Sequence, residues 1–149
     1  MTCWADADGV FDRLEGTWDL ARTIENHAAM TGTARFTQLG GDALGYREEG
    51  RVTLDTGHAF DAHREYRFER SGKGFLVFFA EVPLRLFHRI EFAREGDMLA
   101  GSATHLCPPD VYDSDYRFIA DGSFVIRHSA RGPRKNYVSV TVFRRLATP

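Results

Sequence analysis

This chain has little that could staple or anchor it. Its 149 residues include two cysteines, Cys3 and Cys107, which is too few for a disulfide framework. Cys3 sits beside the N-terminus, a poor position for a native bridge. No apolar run approaches the roughly 20 residues of a membrane-spanning helix. The opening residues, Met1-Thr2-Cys3-Trp4-Ala5-Asp6, have neither the basic nor the apolar region of an export signal. An excess of one charge is also missing: 19 basic and 21 acidic residues give a net charge of -2 and are mixed along the chain. Without a basic block or stripe, neither nucleic acid nor an anionic membrane is the expected partner. The expectation is a reduced, cytoplasmic, soluble protein.

Helices are scarce too. The one candidate is Asp6 to Leu14, where Val10, Phe11 and Leu14 fall at helical spacing and Gly16 follows as a stop. What the chain has in quantity is aromatic and alternating: 12 Phe and 5 Tyr, which suit strands. A length of 149 residues fits one domain, residues 1–149, with a core large enough to need no staple.

Beyond Gly16 the period is two. Leu44, Tyr46, Val52 and Leu54 share one face, and Arg47, Glu49, Arg51 and Thr53 the other. Phe60, Ala62, Tyr66 and Phe68 repeat the pattern against Asp61, His63, Glu65, Arg67 and Glu69. Further strands are predicted at 18–24, 31–39, 75–80, 86–92, 98–107, 111–119, 123–130 and 136–145, about ten in all. Gly40-Gly41-Asp42, Asp55-Thr56-Gly57, Ser71-Gly72-Lys73-Gly74, Glu95-Gly96-Asp97 and Asp121-Gly122 read as turns between them. Short turns imply an up-and-down antiparallel meander. Such a meander hides its edges by closing, so the fold class is all-β: a closed barrel with a short N-terminal helix. A two-sheet sandwich is the alternative. Gly45, Gly50 and Gly101 inside strands are expected at bulges or bends.

Gly16-Thr17-Trp18, after a helix and at the start of the first strand, resembles the Gly-x-Trp signature of lipocalin-like (calycin) barrels. That resemblance implies an Arg from the last strand, Arg144 or Arg145, packed over Trp18 as a cation–π seal. The chain as a whole is similar to an uncharacterised bacterial family of lipocalin-like proteins. The segments that carry this are Leu14-Glu15-Gly16-Thr17-Trp18, Tyr46-Arg47-Glu48-Glu49-Gly50, His105-Leu106-Cys107-Pro108-Pro109-Asp110-Val111-Tyr112 and Gly132-Pro133-Arg134-Lys135-Asn136-Tyr137. The resemblance implies a barrel that binds small, often apolar molecules, with no specific ligand carried over.

Polar residues in phase with apolar neighbours should point inward. Arg22 follows Trp18 and Leu20; Glu48 lies between Tyr46 and Val52; Arg64 between Ala62 and Tyr66; His88 between Leu86 and Ile90; His128 follows Phe124 and Ile126. Glu48 is the one inward acid with clear phasing, so the interior is expected to carry excess positive charge, to which Lys135 adds. A pocket suited to a carboxylate or phosphate follows. The bland counterpart is an internal Arg–Glu–Arg salt bridge that binds nothing. His105 and Tyr112, flanking the Pro108-Pro109 turn, complete the pocket list with Tyr46 and Tyr66. Cys107 reads as a buried small hydrophobe rather than a nucleophile. The histidine spacing matches no zinc motif, so no metal is expected. No catalytic residue is identified.

Three functions compete. A carrier or sensor of a small-molecule ligand is favoured; it predicts an enclosed cavity with a few convergent polar groups. No cofactor is required, and haem is a variant needing an inward His facing an open apolar slot. An acid–base enzyme would need His88, His105 or His128 in reach of Glu48 or Tyr112. An interaction module would have a filled interior with room for little beyond water. Homo-oligomers are compatible with all three.

Overall fold

The computed structural model describes residues 4–146; the expectation for Cys3 lies outside the described residues. Helix α1 (Ala7–Leu14) leads into β1 (Gly16–Ile24), β2 (Ala28–Gly40), β3 (Ala43–Leu54), β4 (Ala59–Ser71), β5 (Gly74–Phe79), β6 (Arg85–Glu91), β7 (Ala93–Glu95), β8 (Met98–Cys107), β9 (Asp110–Phe118), β10 (Phe124–Gly132) and β11 (Lys135–Arg145). Asp6 caps α1, its carboxylate accepting from Gly9 N at 2.8 Å. Val10, Phe11 and Leu14 form the helix's buried face.

The strands form one antiparallel sheet in the order β6-β5-β4-β3-β2-β1-β11-β10-β9-β8-β7. Apart from β6 and β7, consecutive strands are neighbours, as the turn-linked meander requires, and β1 pairs with β11. The two outermost strands, β6 and β7, are separated in the chain by Phe92 alone. One bent strand therefore pairs with β5 through its first half and with β8 through its last three residues. That is how the all-β barrel nearly closes, and why eleven strands replace the expected ten.

Each strand keeps its period of two, so the interior is layered along the barrel axis. At the helix end it is aromatic. Trp4 lies 4.8 Å from Phe118, Trp18 lies 4.8 Å from Phe124, and Phe124 stacks on Phe143 at 4.3 Å. Arg145, not Arg144, covers Trp18 at 4.1 Å and donates to the carbonyls of Glu15 and Arg13. Trp18 itself donates to Leu14 O at 2.9 Å. These contacts lock the helix to the first and last strands and plug that end. The polar inward residues come further along the same strands, toward the opposite, open end.

Several expected positions differ. The registers show bulges at Gln38/Gly40 and Val77/Phe78, and none at Gly45, Gly50 or Gly101. Gly50 and Gly101 instead mark close backbone approach: a Cβ on Gly101 would lie 2.4 Å from Glu91 O. Phe60 and Leu86 are exposed because the first sits at the barrel rim and the second precedes a bulge. Cys107 is exposed at the end of β8 rather than buried, since the strand there has run past the core.

Replacing Arg145 with Ala is expected to lower stability by roughly 1–2 kcal/mol, combining a cation–π contact with lost carbonyl hydrogen bonds. Urea unfolding followed by tryptophan fluorescence reads this, and an unchanged midpoint would show the seal to be ornamental.

Candidate functional site

The deepest polar element is an ion pair between strands that do not touch. Arg22 on β1 reaches across β2 to Glu48 on β3, donating from Nη1 to Oε2 at 2.7 Å and from Nη2 to Oε1 at 2.8 Å. On β2 it passes its own register partner Met30, whose Sδ accepts from Nη1 at 3.6 Å, and reaches Glu48 opposite Ala34, with the side-chain-free Gly32 between those two inward positions. Gly32 faces Gly50 on β3, and their backbones approach so closely that a Cβ on Gly32 would lie 2.1 Å from Glu49 O. Arg22 Nε donates to Thr141 Oγ1 at 2.7 Å, and Tyr46 donates to Glu48 Oε1 at 2.6 Å. Both charges are thus buried and satisfied.

Electrostatics follow from this packing. Burial works to raise the Glu48 carboxyl, but the hydrogen bonds and charge of Arg22 outweigh it and hold it below its usual value. Burial and the Glu48 charge push Tyr46 well above the usual phenol range. Arg22 and Glu48 cancel, so the excess positive charge read from the sequence does not arise in the deep interior.

Two histidines lie on the other side of the barrel. His88 Nε2 is 2.8 Å from the hydroxyl of Tyr116, and His128 Nδ1 is 2.7 Å from Ser114 Oγ. Burial first, then neighbouring His128 and His105, push His88 down to about 3. Burial, then the Arg64 and Arg22 charges, push His128 down to about 4. Both imidazoles are neutral at physiological pH. Tyr116 is pushed well up by burial and stays protonated.

His88 points inward as its phase predicts, yet so does Phe87 beside it. The bulge opposite Val77/Phe78 pairs Val77 with His88 and Phe78 with Leu86, leaving Phe87 unpaired and turned inside. Its ring lies 4.7 Å from Phe79, 6.0 Å from Tyr66, 5.6 Å from His105 and 5.8 Å from His128. Phe87, like Thr141, lines the interior cavity and is absent from the sequence expectations. Nothing local in Leu86-Phe87-His88 signals a bulge, whereas Thr141, also missed, shares its phase with Phe143 and was legible.

At the open end, Arg64 lies over the Tyr66 ring at 6.0 Å and forms no ion pair among the described residues. It faces Glu48 in the ladder, but its side chain is solvent-exposed because β4 rises to the rim there. Tyr66 is half-buried beneath it. Lys135 is separate from this group: it donates to Tyr112 Oη at 2.6 Å and lies 3.5 Å from Asp110. His105 is half-buried between Phe87 and Tyr112. Arg22, Tyr46, Glu48, Arg64, Tyr66 and His128 therefore line one cavity, while His88 stands behind Phe87 and His105, Tyr112 and Lys135 form the rim.

That cavity measures about 20 Å³, room for about one water. Phe87 and Tyr116 also line it, with apolar side chains such as Phe68, Val77 and Ile126. A larger hollow of about 530 Å³ lies outside the barrel between Arg35, Arg47, Arg67 and Leu84. Its two acids, Glu49 and Glu65, both pair with Arg47, and Tyr46 and Tyr66 line both this hollow and the interior cavity. Among the described residues no three metal-ligating side chains converge and no helix is long and apolar enough to cross a membrane.

Comparison with known proteins agrees with this architecture. Residues 14–145 match a family described as "Family of unknown function (DUF6314)". No curated protein sequence matches the chain. The structure is similar to Rv2717c from M. tuberculosis, with a TM-score of 0.64 and 16% identity over 96% of this chain and 99% of that one. It is also similar to the S-type phycobiliprotein lyase CPES from Guillardia theta, with a TM-score of 0.61 and 10% identity over 97% of this chain and 95% of that one. At these identities the likeness establishes a shared lipocalin-like barrel.

Two outcomes are expected from the buried polar groups. Glu48→Gln strands the Arg22 charge and should cost roughly 3–5 kcal/mol, whereas a joint Arg22→Met, Glu48→Leu replacement should cost far less; equal losses in chemical denaturation would contradict a paired site. The histidines make stability pH-dependent. Unfolded imidazoles take up protons near about pH 6.5, while the folded barrel refuses them until about 4 for His128 and about 3 for His88. Stability is therefore full above the unfolded value and falls as pH drops through that window. Denaturation midpoints at pH 7, 6 and 5 should decline in step, and less steeply in His88→Phe.

Proposed function

We propose that this chain, which belongs to the DUF6314 family of unknown function, is a barrel that binds a small amphipathic anion at its open end. The observation that carries this reading is Arg64. Arg22, deeper in, is neutralised by Glu48, whereas Arg64 lines the same cavity with no carboxylate partner among the described residues. A guanidinium beside Tyr66, Phe87 and His128 suits a carboxylate or sulfonate on a flat apolar body. Entry requires Phe87 to turn aside, because the resting cavity holds about one water. The bulge favours this, since Phe87 sits where the ladder is already broken.

Acid–base catalysis is less well supported. His88 and Tyr116 meet at hydrogen-bond distance, but one is pushed far below neutrality and the other far above the phenol range. Such a pair exchanges no proton readily at pH 7. Glu48 is held by Arg22. The likeness to a phycobiliprotein lyase carries the fold and not the activity. A second reading, an interaction module, is favoured by the nearly filled interior and by two exposed apolar residues, Val82 in the β5–β6 loop and Leu106 near the end of β8. We place the protein in a reducing compartment, where the exposed Cys107 remains a thiol.

Titration with 8-anilinonaphthalene-1-sulfonate separates the two readings. Wild type should bind the dye, Arg64→Ala should weaken it roughly three- to tenfold as expected for an exposed charge contact, and Phe87→Ala should strengthen it. Dye that stays dark with both wild type and Phe87→Ala would leave the interaction module standing.

A further inference from the structure

His88 holds an unmade hydrogen bond. Its side chain is 4% exposed, and its Nδ1 has no hydrogen-bond partner among the described residues. An unmet buried polar atom is costly, which makes such atoms rare in folded proteins. Its tautomer follows from its one partner. The Tyr116 hydroxyl makes no other hydrogen bond among the described residues. If Nε2–H donated to Tyr116, both the phenol proton and the Nδ1 lone pair would lack partners. If Tyr116 donates to Nε2, only Nδ1–H is left over. The second arrangement is the cheaper, so the unmet atom is a donor.

His88 does not itself line the cavity but stands behind three residues that do. His88's chain neighbour Phe87, its cross-strand partner Val77 and its hydrogen-bond partner Tyr116 all line that space. The same bulge that turns Phe87 inward places His88 immediately behind it, their rings 4.1 Å apart. A Phe87 ring that swings away to admit a ligand uncovers this imidazole.

We infer that His88 Nδ1–H is the deep recognition group of the barrel and takes an uncharged carbonyl oxygen of the ligand, with Phe87 as the side chain that yields. This rests on the binding reading above and narrows it: the ligand carries an anionic group for Arg64 and a carbonyl further in, on an apolar body. An anion is a poor match for the deep position. His88 is neutral and its neighbours, Val77, Phe87, Tyr116, His105 and His128, include no lysine or arginine. The two polar contacts would also fix the ligand's direction in the barrel, head at the rim and carbonyl inside.

The test is a pair of probes that differ by one oxygen, 4-benzoylbenzoate and 4-benzylbenzoate, titrated calorimetrically into the full chain. Wild type should prefer the ketone by about tenfold, the magnitude of one buried hydrogen bond. His88→Phe should bring the ratio near one, and Arg64→Ala should weaken both probes while keeping the ratio. Equal binding of the two by wild type would overturn the inference and leave the binding reading intact; that is also the outcome if water satisfies Nδ1. Failure of both probes to bind would overturn the two together. Should His88→Phe not fold, ¹⁵N-histidine spectra of wild type decide: the Nδ1–H signal should shift with the ketone and not with its methylene analogue, and identical spectra would overturn the inference.

Discussion

The barrel's interior is organised by the crossing of Arg22 over β2 to Glu48. Two opposite charges out of water are tolerable only when each is saturated, and here Thr141, Tyr46 and the bidentate contact achieve that. The crossing runs diagonally from the Met30 position to the Ala34 position of β2, over Gly32, so one residue without a side chain leaves the space through which an ion pair bridges its neighbours. Cancelling that charge then changes the meaning of everything above it. Arg64, the next cation along the barrel, stands alone at the rim with Tyr66 instead of adding to a positive interior.

A second constraint is the break in the β5–β6 ladder. One extra residue puts Phe87 and His88 on the same side of the sheet. Phe87 then fills the space between Tyr66 and His128, and His88 is carried behind it with a donor unmet. The resting interior is thus nearly solid, yet its filler is one ring on an interrupted strand. A filled cavity and a binding role are compatible when the group that fills it is the one least fixed by the ladder.

The aromatic plug at the helix end has the opposite character. Trp18 is held by Leu14 O, by the Arg145 cation and by Phe124, so that end has no slack. Rigidity at one end and a single yielding ring at the other give the barrel a direction. The polar groups gather toward the end that can open.

Alternation and turn residues determined the strands, their antiparallel order and the inward phase of Arg22, Glu48 and His128, because a period of two assigns each residue to a face wherever the ladder is regular. The Gly-Thr-Trp start, through its resemblance to lipocalin-like barrels, implied a seal by Arg144 or Arg145, and the register of β1 with β11 decides for Arg145, which pairs with Trp18. The sequence could not determine which inward charges pair. That depends on which strands the barrel brings within reach of a side chain, and Arg22 meets a strand two positions away. Nor could it reveal Phe87 or the exposure of Leu86 and Cys107. A bulge and a strand end shift the facing of residues without altering their local pattern, so only the ladder itself decides them.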